Sequence, residues 1–70
     1  MYPSPDLVER ASRVQLAQWV RRLPSPGTSA IGKPEFEETL EREAGTMDRI
    51  LERFADMGGM TPQISKLIGW

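Results

Sequence analysis

Apolar residues recur along this chain at spacings of three and four, and no segment alternates with the period of two that a half-buried strand requires. Leu16, Trp19, Val20 and Leu23 form one stripe, with Gln15, Gln18 and Arg22 opposite. Ser12-Arg13-Val14-Gln15 has the spacing of a capping box, and Pro24 disfavours helical geometry in the residue before it. A helix over 12–23 follows. Phe36, Leu40, Met47, Ile50, Leu51, Phe54 and Met57 define a longer stripe, with Ala44 and Gly45 across its middle. It predicts a helix over 34–57, about 35 Å long, opened by Pro34 and ended by Gly58-Gly59. Glu35, Glu37 and Glu38 lie where the helix dipole favours acids. Gly45 costs about 1 kcal/mol relative to alanine, so a bend or a close helix crossing is expected there. A third helix over 61–68 has Thr61 as cap, Pro62 in the first turn and Gly69 as exit, and offers Ile64, Leu67 and Ile68 to the core.

Residues 1–11 read as an arm. Ser4-Pro5-Asp6 can start a short helical turn, and Leu7, Val8 and Ala11 pin it to the core. Ser12 argues for a restart rather than one continuous helix. Residues 24–33 form a loop stiffened by Pro24 and Pro26 and freed by Gly27 and Gly32, with Ile31 as its expected anchor. The expected fold is all-α. It is a small three-helix domain over 12–70 with one long central helix, the N-terminal arm and the Pro/Gly loop, and Trp19 in its core.

Composition narrows the picture. Seventy residues allow one modest core, and 39% hydrophobic against 27% charged residues is compatible with folding. The absence of cysteine leaves helix packing, a partner or self-association to stabilise it. Net charge is −1 but uneven. Residues 1–33 carry five cations against Asp6 and Glu9, a balance of +3. Residues 34–56 carry eight acids against Arg42, Arg49 and Arg53, a balance of −5. Either the halves neutralise one another or each presents a docking face. Met1-Tyr2-Pro3-Ser4-Pro5-Asp6 lacks the marks of a signal peptide, and no apolar run approaches the ~20 residues that cross a bilayer. A cytoplasmic, non-membrane protein is expected.

Catalysis is not expected. Without histidine or cysteine the usual general base and thiol nucleophile are missing, and none of the five serines sits in a nucleophile-elbow pattern. Glu37, Glu38 and Glu41 have oxygen ligands for magnesium or calcium, but without a caging loop they read as a solvated face with a Glu38–Arg42 pair. No cofactor and no metal are assigned. Two binding surfaces remain. Pro24, Ser25, Pro26 and Gly27 of the rigid loop, with Met57, Met60 and Trp70, are candidates for a protein partner. Trp70 can instead cover Phe54 and Leu67. Arg10, Arg13, Arg21 and Arg22 are candidates for tracking a phosphate backbone. The closing helix resembles the first helix of a helix-turn-helix, with no recognition helix after it.

Trp19-Val20-Arg21-Arg22-Leu23-Pro24-Ser25-Pro26-Gly27, Asp48-Arg49-Ile50-Leu51-Glu52-Arg53-Phe54, and Gly58-Gly59-Met60-Thr61-Pro62-Gln63-Ile64-Ser65-Lys66-Leu67-Ile68-Gly69-Trp70 together resemble small uncharacterised proteins of phages and prophages. The resemblance covers about residues 12–70 and carries over no functional residue. It implies a viral or prophage context in which small proteins commonly act by binding. The expected function is a non-enzymatic protein-binding module, a phage or prophage accessory or an inhibitor of host machinery. Self-association through the 34–57 helix, along Met47, Phe54 and Met57, is one form of it. The alternative is a small nucleic-acid-binding protein.

Overall fold

Three hydroxyl side chains start three of the helices. Ser4 Oγ accepts the Leu7 N–H at 3.4 Å, Ser12 Oγ the Gln15 N–H at 3.2 Å, and Thr61 Oγ1 the Ile64 N–H at 3.2 Å. Each satisfies a donor that the first helical turn leaves unpaired. The computed structural model describes residues 2–69. In order they form α1 (Pro5–Arg10), α2 (Arg13–Arg22), a 3-10 turn (Thr28–Ala30), α3 (Phe36–Asp56) and α4 (Pro62–Leu67). No strand occurs among the described residues.

The all-α fold around one long helix is as the sequence pattern requires, with one addition. The arm contains a helix of its own, α1, and Val8 from it is 1% exposed. Ala11 and Ser12 are extended, so the chain restarts at α2. Leu23 ends α2, with its N–H donated to the Trp19 carbonyl at 2.9 Å. α3 begins at Phe36 rather than Pro34, because Lys33 and Phe36 each close a tight turn onto Ala30 and Lys33. It ends in a Schellman motif: Gly59 N–H donates to Phe54 O at 2.9 Å and Gly58 N–H to Ala55 O at 3.0 Å. Gly58 (φ 107°) and Gly59 (φ 65°) supply the left-handed geometry this needs.

The core joins every α-helix. Val8, Leu16, Ala17, Ile50, Phe54, Ile64 and Ile68 are buried together, with Ala11, Val14, Trp19, Val20 and Leu23 packed around them. Several expectations need correcting. Trp19 is only half-buried, since Leu16 and Ala17 hold the centre of α2. Ile31 is 69% exposed and does not anchor its loop; Ala30, one residue earlier on the 3-10 turn, is the buried residue there. Leu67 faces solvent while Ile64 and Ile68 are inside. No helix crosses at Gly45, where a Cβ would meet nothing within 4 Å. Trp70 lies outside the described residues. No helix is long and apolar enough to cross a membrane among them.

Candidate docking surface on the long helix

α3 holds the rest of the chain with one row of side chains. Thr39, Glu43, Ile50 and Phe54 are its buried residues, at steps of four, seven and four along a single face. The N-terminal half of that row is polar because the loop supplies a donor to it. Gly27 N–H donates to Glu43 Oε1 at 2.9 Å, and Gly27 has φ 82°. A Cβ there would stand 3.1 Å from Phe36 Cε1 and 3.2 Å from Leu40 Cδ1, so the loop approaches α3 as closely as only glycine allows.

This geometry revises the loop as a partner surface. Gly27 is buried and Pro26 half-buried, whereas Pro24 and Ser25 are exposed. Thr28 Oγ1 donates to Ser25 O at 2.6 Å, and the Tyr2 hydroxyl donates to Pro24 O. Burial, and then the Glu43 carboxylate, push the Tyr2 pKa above its ordinary value of 10.0. Gly27 therefore serves the fold and cannot be offered to a partner. Met57 (37% exposed) and Met60 (36%) are accessible.

The arginines do more internal work than their sequence positions reveal. Arg13, in the first turn of α2, donates from Nε and Nη2 to Gly59 O at 3.2 and 2.7 Å. Arg22, in its last turn, donates from Nη2 to Ile68 O at 3.1 Å. The two bracket α4 by carbonyls on either side of it. Arg21 also has a partner, and Arg10 is exposed beside Leu7, Gln15 and Trp19. The four candidate phosphate contacts thus form no continuous free row.

On one flank of α3 the packing is charged and closed. Arg53 Nη1 donates to Val8 O at 2.5 Å and Ala11 O at 3.2 Å, capping the end of α1. Arg49 forms a bidentate pair with Glu9, at 2.6 and 2.7 Å, and also pairs with Glu52. That bonding holds the Glu9 pKa below its ordinary range and raises that of Arg49. A groove of about 240 Å³ lies between α1 and α3, floored by Gly45.

On the other flank α3 is more open, although Gly27 of the loop packs against Leu40 at its start. Leu40, Ala44, Met47 and Leu51 follow steps of four, three and four, the spacing of a coiled-coil seam. Leu40 is 36% and Leu51 46% exposed, Ala44 and Met47 are half-buried, and none of the four belongs to the core or to the side chains packed on it. The stripe expected for self-association is corrected accordingly: Phe54 is 6% exposed, and the accessible apolar row runs through Leu40 and Leu51 instead. Beside it, about a quarter-turn round the helix, Glu37, Glu41, Asp48 and Glu52 stand exposed in a row. The signal for this surface was the width of the apolar pattern: seven positions cover more of a helix than one core face takes. Comparison with protein-family models, with curated proteins and with solved structures gives no match to this chain.

Proposed function

We propose that this protein is a non-enzymatic binding module whose working surface is the open flank of α3. The observation that carries the reading is the Leu40–Ala44–Met47–Leu51 stripe, a coiled-coil-spaced apolar row along the longest helix to which the core contributes no cover. A residue exposed singly means little, but an aligned, partly exposed apolar row on a helix is the form in which amphipathic helices recognise partners. Together with the resemblance to phage and prophage proteins, the role would be that of an accessory or of an inhibitor of host machinery. Opposing surfaces are weaker candidates, since the loop is held by Glu43 and Tyr2 and two of the four arginines hold α4.

The test is capture on the immobilised full chain from a cell extract, with and without nuclease, beside the Leu51→Gln variant. Protein retained after nuclease and lost on the variant supports the reading. Retention unchanged by Leu51→Gln removes the flank from consideration. Enrichment that vanishes with nuclease replaces it with nucleic-acid binding.

A further inference from the structure

We infer that the occupant of this flank is a basic amphipathic helix of another protein, an inference that rests on the docking reading above. Its chemistry follows from what borders the stripe. Glu37, Glu41, Asp48 and Glu52 step by four, seven and four along the adjacent side of α3, and all four are exposed. Glu52 is bonded to Arg49, but Glu37, Glu41 and Asp48 form no ion pair among the described residues. The three arginines of α3 serve mainly the side toward α1: Arg49 is shared between Glu9 and Glu52, Arg53 is taken by the carbonyls of α1, and exposed Arg42 stands beside Pro5. The open flank therefore presents an apolar row with carboxylates along one edge, of which only Glu52 is paired with a cation of α3 among the described residues. The wider segment 34–56 is acidic in the same sense, eight acids against three arginines.

An incoming helix with leucine-like residues at coiled-coil spacing and lysine or arginine beside them would match both rows at once. The span from Leu40 to Leu51 is about 17 Å, three turns of such a helix. A second copy of this chain fits less well. Laid antiparallel on the same stripe, it would bring the acid row against its own image, where like charges oppose pairing. Charge thus selects the partner, and the stripe supplies the contact area.

The experiment uses the full chain and two labelled probes of about 18 residues, ~27 Å of helix each, one an amphipathic leucine–lysine peptide and the other its leucine–glutamate counterpart. Binding is read by fluorescence anisotropy at rising salt, with a Leu51→Gln variant and a combined Glu37→Gln, Glu41→Gln, Asp48→Asn variant. The expected result is binding of the lysine peptide only, weakening as salt rises, and about ten-fold weaker on either variant. Equal binding of both peptides, or full binding by the neutralised variant, overturns the basic-partner inference while leaving the flank a docking surface. No peptide binding, with sedimentation showing a dimer that Leu51→Gln dissolves, overturns it in favour of a second copy. No peptide binding and a monomer throughout overturns the inference and the docking reading together. Circular dichroism of each variant confirms that the helices are retained.

Discussion

The two flanks of α3 have been built on opposite principles. Toward α1, Arg49 and Arg53 reach Glu9 and the carbonyls of Val8 and Ala11, and Val8 itself enters the core. Toward the other side lie Leu40, Ala44, Met47 and Leu51, with an acid row of which only Glu52 is paired with a cation among the described residues. The closed flank joins charge to charge and covers its apolar residue. The open one leaves much of its charge and part of its apolar surface in water. A small protein gains by burying apolar area, at roughly 25 cal/mol per Å², and the part of this row left exposed forgoes that gain. The comparison therefore separates residues that hold the fold from residues left outside the core, within one helix.

Variants can break that separation. The largest effect is expected at the seam between the flanks. Ile50 is fully buried, and Ile50→Ala should remove about 2–5 kcal/mol, enough to unfold much of so small a domain. A urea midpoint unchanged by it would mean that α3 does not hold the core. Next comes the closed flank. Arg53→Met keeps much of the side-chain length and leaves the α1 carbonyls without their donor, at a cost of about 1–3 kcal/mol. Hydrogen exchange should localise the loss to α1; a loss spread evenly over all helices would contradict the capping role.

Much of the architecture is legible in the sequence itself. Ser12, Thr61, Pro24 and Gly58-Gly59 marked helix ends because capping and left-handed exits are local chemistry, settled within four residues. What the sequence could not show was which part of a wide apolar stripe would be covered. Ile50 and Phe54 were inside it and so were Leu40 and Leu51, and only the placement of α1 and α2 divides them. Glu43 was hidden for the same reason. It read as one acid among eight until Gly27, sixteen residues earlier, supplied its N–H. Arg13 and Arg22 looked free because their acceptors are backbone carbonyls 46 residues away, which no side-chain pattern records. Ile31 misled in the opposite direction: a lone apolar residue in a loop suggested an anchor, but the 3-10 turn presents the smaller Ala30.

A smaller effect, and one that titrates, is expected from the Glu9–Arg49 pair. Bonding to Arg49 lowers the Glu9 pKa in the folded state below its ordinary value of 4.5. Its contribution is therefore complete above that value and disappears as pH falls through the lowered one. The difference in urea midpoint between the wild type and Glu9→Gln should shrink to nothing on acidification, and should also shrink with salt, since both groups are at the surface. A difference that persisted at low pH would show that Glu9 acts on the closed flank by something other than its charge.

The smallest expected effect bears hardest on the open flank. Leu51→Gln replaces one good helix former by another, on a side chain already 46% exposed and outside the core. Its cost should stay within about 0.5 kcal/mol, roughly four- to ten-fold below that of Ile50→Ala one residue away. Adjacent positions on a helix point about 100° apart, so the pair measures the two surfaces of α3 against each other with almost no change of place along it. If Leu51→Gln proved as damaging as Ile50→Ala, the stripe would belong to the core, and no surface would remain for a partner. If it is silent in urea but abolishes capture, stability and recognition part company at neighbouring residues, as the contrast between the flanks requires.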